Sequence, residues 1–318
     1  MYTYIVLSKY RTRARVYPLH DQREQEGIRM GRQPLAEVFG FRIDDHSDEA
    51  KRHRMERLCP FNNKGAKCNK DKADDPLGVC SIYHEGQTVI ICPIRFRENW
   101  QIAEDAAKFF FPSGTRWTSF TEIQLKDRYG VSAGNIDVVL AAYNEQRQVI
   151  DYGALEVQAV YISGNVRKPF TFFMQDPTSR NSLDWSEQKD YPRPDYLSSS
   201  RKRLVPQLLY KGSIFRSWKK KIAVAIDKSF LASLPDLPET TKGSADIAWL
   251  VYDLKHDLHT NRFKLTLVQT LYTDFSAILK RMTAPEPGNE KDFLAFLQRK
   301  LRSKQTRSNA DGDISPEE

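Results

Sequence analysis

A chain of 318 residues with 40% hydrophobic side chains can bury a substantial core, as one large domain with elaborations or as two modest ones. Mean hydropathy is −0.60 and no apolar run approaches the roughly 20 residues that span a bilayer, so a membrane-spanning helix is not expected. A formal net charge of +8 favours a polyanionic partner, although net charge speaks of attraction and not of fold.

Residues 1–57 are strongly charged and read as an N-terminal arm or subdomain, with a strand expected at 2–7. Ile5, Val6 and Leu7 are soon interrupted by Lys9, Arg11 and Arg13, so no secretory h-region forms and a cytoplasmic location is expected. The segment 58–98 follows and holds all four cysteines of the chain, Cys59, Cys68, Cys80 and Cys92, with 8, 11 and 11 residues between successive members. A buried thiolate needs a proton, a disulfide or a metal to cancel its charge. Turn signals at Pro60, Asn62, Asn63, Gly65, Pro76, Gly78 and Pro93 are suited to bending this loop-rich segment around one ion, with the cysteines as ligands. Two disulfides, which a reducing compartment disfavours, or four unrelated buried thiols are the alternatives.

The segment 99–284 begins with Trp100, Ala103, Ala107 and Phe110 at helical spacing, stopped by Pro112 and Gly114. Strand patterns follow at 121–126, 136–143 and 155–162. Residues 196–210 carry helical content, which Pro206 must disturb unless it opens a new helix. Eight basic residues and no acidic one occupy 201–221, interleaved with Tyr210, Phe215 and Trp218, as in a phosphate-tracking surface; a solvated helix face is the plainer alternative. Short strands are expected at 222–226, 247–252 and 263–268, and after the 285–288 break an Asn289-capped helix to 302. Residues 303–318 read as a disordered tail.

The chemistry concentrates on one hairpin. With the turn at 144–148, a symmetric register sets Asp137 opposite Glu156, their Cβ atoms roughly 5 Å apart. Gln158 shares the face of Glu156, while Leu155, Val157 and Ala159 take the other side. Two carboxylates at that distance repel by about 3 kcal/mol at an effective dielectric of about 20, a penalty that a divalent cation removes. The pair is therefore a candidate Mg²⁺ site for phosphodiester hydrolysis, with Gln158 positioning water or assisting at the ion and Glu122 as a third acid. Two exposed strand residues on a wet face are the competing explanation.

Asp137, followed after 18 residues by Glu156-Val157-Gln158, resembles the PD-(D/E)xK nuclease core, in a form where Gln replaces the usual Lys and no Pro precedes the Asp. Joined to Cys59-Pro60-Phe61, Cys68, Cys80, Cys92-Pro93 and the helix after Trp100, it is similar to the NotI-like type II restriction endonucleases, a family that includes EagI. The resemblance is best over 57–162. It implies a mixed α/β restriction-endonuclease-like core, a central mixed sheet flanked by helices with a four-cysteine insertion. It further implies a homodimer that cuts double-stranded DNA at GC-rich palindromes with Mg²⁺ held by Asp137 and Glu156. The four cysteines would hold one structural iron, or zinc, which four thiolates suit equally. Gln158 in the lysine place removes the protonated lysine from that expectation and leaves metal-bound water as the nucleophile. Base-reading candidates are Asn62, Asn63, Lys64, Lys67 and the segment 181–203. Three rivals stand beside this reading: a non-catalytic four-cysteine DNA-binding protein, a PD-(D/E)xK nuclease outside restriction, and a histidine-metal nuclease built on His256, His259 and Asn261.

Overall fold

A computed structural model describes residues 33–62, 67–72, 74–284 and 287–310, with side chains to residue 304. The strand expected at 2–7, the residues Asn63, Lys64 and Gly65, and the end of the tail lie outside the described residues.

The first unit is a four-stranded antiparallel sheet of order β2-β1-β3-β4, made of β1 (Leu35–Val38), β2 (Phe41–Arg42), β3 (Val79–His84) and β4 (Gln87–Ile90). Helix α1 (Asp48–Glu56) lies between β2 and β3, its N-terminus capped by the Ser47 hydroxyl, which accepts from Ala50 N (3.2 Å). Because β1 pairs with β3, the expected N-terminal subdomain and the cysteine segment share one sheet instead of meeting at residue 57. Gly40 in the β1–β2 turn has φ +82°, and a Cβ there would stand 2.2 Å from Pro60 Cγ; only glycine lets the Cys59-Pro60 loop lie against this turn.

A 3₁₀ segment (Pro93–Trp100) leads into α2 (Gln101–Phe110), which buries Ile102, Ala103, Ala106, Phe109 and Phe110 and ends before Pro112. The remaining strands build a six-stranded mixed sheet. They are β5 (Trp117–Lys126), β6 (Ser132–Tyr143), β7 (Val149–Gln158), β10 (Ile222–Asp227), β11 (Ile247–Asp257) and β12 (Arg262–Thr273), in the order β12-β11-β10-β7-β6-β5. Strands β7, β10 and β11 run parallel and the others antiparallel. A small ribbon of β8 (Tyr161–Ser163) and β9 (Arg193–Asp195), with α3 (Arg167–Gln175) between them in the chain, follows β7.

Both faces of the sheet are covered, and β10 shows how. Ile222, Val224 and Ile226 enter one apolar cluster together with Leu204, Leu208 and Phe215, while Ala223 and Ala225 enter the other with α2. Small residues on the α2 side let the helix approach closely: a Cβ on Gly153 would meet the Phe110 ring at 2.5 Å. The opposite face is roofed by a helical rod over 198–217. It consists of a π segment (Ser198–Leu204), α4 (Val205–Gln207), a second π segment (Leu208–Gly212) and α5 (Ser213–Ser217). Pro206 does not end this rod. Its missing N–H is accommodated by widened turns on either side, the usual way a helix carries a local irregularity near a functional site. Helices α6 (Lys228–Ser233) and α7 (Phe275–Thr283) follow β10 and β12. The closing α8 (Glu290–Ala310), with Asn289 Oδ1 accepting from Lys291 N (3.0 Å), continues past residue 303, where a disordered tail was expected. No helix among the described residues is long and apolar enough to cross a membrane.

The two sheets are tied through Ile90 at the end of β4. Its N–H donates to Asp227 Oδ2 (3.1 Å) at the end of β10, and its carbonyl accepts from Val160 N (2.9 Å), two residues beyond Gln158. A second tie is ionic. Arg95 and Glu37, both fully buried, meet at 3.0 Å, and Arg95 also reaches Glu98 Oε2 (2.6 Å) and the Phe263 carbonyl (2.8 Å) on β12.

Candidate active site

The β6–β7 register pairs Val138 with Leu155 and Val139 with Ala154, which continues to Asp137 opposite Glu156, as the symmetric hairpin requires. The β5–β6 register, Thr121 with Val138 and Ile123 with Ile136, continues equally to Glu122 opposite Asp137. Three acids from three adjacent strands thus form one row. Glu122 sits in that row with φ +56°, a left-handed conformation that costs a non-glycine residue on the order of 1 kcal/mol or more and accumulates at functional sites.

Burial disposes of the wet-face explanation. Glu156 is only 3% exposed and Asp137 is half-buried, with Asp137 Oδ2 accepting from Val157 N (2.8 Å). Leu155 and Ala159 pack on the α2 side, as alternation requires, but the acid side is roofed by the helical rod. Burial first, and then the charge of Asp137, push the Glu156 carboxyl up to about 8 against the opposing pull of Lys211. Burial also raises Asp137, while the Val157 N–H, the Lys211 charge and the Arg97 charge oppose it. Gln158 is buried and donates its amide to the Ala159 carbonyl (2.7 Å).

Lys211 is the residue that strand reasoning missed. Its Nζ, from the second π segment, donates to both Glu156 oxygens at 3.0 and 2.8 Å. Within the basic run it therefore belongs to the interior, not to a phosphate-tracking surface, and Phe215 is likewise core. The signal was present: Leu204, Leu208, Lys211 and Phe215 recur at helical spacing, so the lysine falls on the apolar stripe. Arg201, Lys202, Arg203, Arg216 and Lys219 remain exposed. Arg203 stacks on Tyr161 (3.7 Å to the ring centroid) at the mouth of a cleft of about 880 Å³, which Glu122, Asp137, Gln158 and Arg97 also line. Among the base-reading candidates, Arg203 reaches this cleft and Lys67 is exposed. His256 instead bonds Asn261 Oδ1 (2.9 Å), and His259 N bonds Asp257 Oδ1 (3.0 Å), within the β11–β12 turn. These are local turn contacts.

All four cysteines carry free thiols, Cys80 and Cys92 buried and the other two half-buried. They line one cavity of about 10 Å³ with Phe39, Phe61 and Lys70, about the room of a single water or ion. Burial, with neighbouring sulfurs adding to it, pushes the Cys59 thiol up to about 11 and raises Cys80 and Cys68 as well. Sulfurs that repel one another's ionisation across a shared cavity have the donor chemistry of a thiolate metal site. Among the described residues, however, no three His, Cys, Asp or Glu side chains are drawn tightly enough together to form a finished metal site, at the thiols or at the acids. Lys70 bridges the two regions: its Nζ donates to the Val79 and Ile91 carbonyls (2.9 and 3.0 Å), and the residue lines both cavity and cleft.

A family model for restriction endonuclease NotI matches residues 37–265, which takes in the cysteine pocket, the acid row and the helical rod. No curated protein matches the chain. With the match spanning most of the chain and both features, the chain belongs to the NotI restriction endonuclease family, enzymes that cut DNA at specific sites.

Proposed function

We propose that this chain is a type II restriction endonuclease of the cytoplasm that hydrolyses double-stranded DNA at a GC-rich palindrome, as a homodimer with a PD-(D/E)xK core. The observation that carries the reading is the row of Glu122, Asp137 and Glu156, two of whose members, Glu122 and Asp137, line a cleft that Arg97, Arg167 and Arg203 also line. Asp137 and Glu156 would hold Mg²⁺, with Glu122 and Gln158 beside them. A bound Mg²⁺ supplies charge neutralisation at the phosphate and a water of lowered pKa. The exposed Arg203 and Lys202 engage phosphates, and arginines at base edges suit guanine-rich sequence. Incubation with DNA of known sequence and Mg²⁺, followed by mapping of the ends, tests this: fragments ending in one palindrome support it, and random degradation sinks it.

Lys211 takes over part of what a lysine at position 158 would do, because its ammonium lies on the second acid. A proton on Glu156 must leave before a cation can be held there, so cleavage is expected to rise with pH toward about 8. Lys211→Met removes the group that draws Glu156 down, and should shift the pH–rate midpoint upward by about one unit and lower cleavage at pH 7 about tenfold. Lys211→Arg should recover part of the loss. An unchanged pH profile in the methionine variant would remove Lys211 from the site.

The cysteine pocket is assigned to one structural iron or zinc. Elemental analysis of the purified protein is expected to give one such ion per chain, and Cys80→Ser to lose it together with much of the fold. Full ion content in Cys80→Ser would exclude the assignment.

A further inference from the structure

Every described residue from 287 to 304 is exposed, and α8 lies beyond the part of the chain that the family model matches. Yet this helix is not polar all round. Phe293, Leu294, Phe296, Leu297 and Leu301 are between 44% and 61% exposed. A solvated helix with such a stripe is missing a partner.

The pattern along the stripe says what that partner is. Glu290, Phe293, Leu297, Leu301 and Lys304 follow one another at spacings of 3, 4, 4 and 3, so the stripe reads alike in both directions from Leu297 while its ends carry opposite charges. At 3.6 residues per turn these five positions share one side of the helix, about 21 Å from end to end. A two-fold axis at Leu297 lays a second α8 antiparallel on the first, with Phe293 against Leu301 and Glu290 beside Lys304 at both ends. The parallel arrangement would set glutamate against glutamate and lysine against lysine. Antiparallel pairing also opposes the two helix dipoles head to tail.

We infer that the α8 stripe is the docking surface for a second copy of this chain, paired antiparallel about Leu297. This deepens the homodimer reading above by naming a surface for it, and rests on that reading only for the number of copies. One helix pair falls short of the roughly 1,200 Å² of a stable interface, so the DNA-free dimer is expected to form at about micromolar concentration.

Sedimentation of the full-length protein over a concentration series tests it. Wild type is expected to pass from monomer to dimer, and Leu297→Glu to weaken the dimer at least about tenfold. Glu290→Lys should also weaken it, and Glu290→Lys with Lys304→Glu should restore it. Under mild oxidation Leu297→Cys should cross-link into covalent dimers, whereas Ala295→Cys, on the opposite side of the helix, should remain at the wild-type background. A dimer unaffected by Leu297→Glu overturns this surface and leaves the homodimer standing. A wild-type monomer at all concentrations up to about 100 µM also overturns the pairing, and the palindrome reading then stands or falls on the mapped ends alone.

Discussion

The Asp137→Ala protein is expected to bind its DNA and fail to cut it. Asp137 is the middle member of the acid row, flanked by Glu122 on one strand and Glu156 on the other, and the alanine removes the oxygens that a cation would share with Glu156. The Asp137 carboxylate also accepts from Val157 N, a bond between neighbouring strands whose loss costs about 1 kcal/mol and leaves the sheet standing. Losing a ligand of a charge-neutralising ion is expected to cost cleavage on the order of 10³-fold, about 4 kcal/mol of barrier. Binding, by contrast, is proposed to draw on exposed basic side chains of the rod, which the substitution does not touch. With Ca²⁺ in place of Mg²⁺, affinity measured by fluorescence anisotropy should stay within about threefold of wild type, because the phosphate contacts are intact. A variant that still cuts within tenfold of wild type would move catalysis elsewhere; one that neither binds nor folds would leave Asp137→Asn as the deciding variant. A wild type that binds and never cuts would return the chain to the binding-only reading.

Arg95→Ala should be the most damaging single change to the fold. The guanidinium has no exposure, and it meets Glu37 on β1, Glu98 in the 3₁₀ segment and the Phe263 carbonyl on β12. Phe61, in the cysteine loop, lies with its ring centroid 4.2 Å from the same guanidinium. Truncation strands a fully buried carboxylate, for which the expected loss is about 3–5 kcal/mol. In a chain of this size that corresponds to a fall in Tm of about 5–8 °C. Glu37→Gln combined with Arg95→Met should be milder than Arg95→Ala, since the charge left behind, on Glu98, is partly exposed and none remains fully buried. A thermal melt within 2 °C of wild type for Arg95→Ala would show that the pair is replaceable by solvent or rearrangement.

The hairpin was legible in the sequence because its alternation and short turn fix the register, and one-residue slips would turn every inward side chain outward. Asp137 and Glu156 could therefore be paired from spacing, and Glu122 could be put on the neighbouring strand. What spacing could not show is that Glu122 is held at positive φ, a backbone choice made by tertiary contacts. Lys211 and Arg95 were hidden for a different reason. Each is a basic residue among other basic residues, and charge alone reads as surface; only the helical stripe of Leu204, Leu208 and Phe215 betrays Lys211, and nothing in Pro93–Trp100 betrays Arg95. The rod over Pro206 was only partly legible: proline signals a disturbance or a helix start, and α4 does begin there, but nothing in the sequence shows the widened turns that carry the chain through. The cysteines announced themselves by clustering, whereas their convergence on one cavity depends on β1 pairing with β3, a contact between segments about 40 residues apart.

Ile90 carries a consequence beyond its two hydrogen bonds. It closes the strand that lies between Cys80 and Cys92, and it clamps the backbone just past Gln158. Amide protons at Ile90 and Val160 should therefore exchange with solvent at matched rates, since neither can open without releasing the other. A strand loosened at its thiol end would therefore also loosen the backbone just past Gln158, so the two pockets share one hinge point.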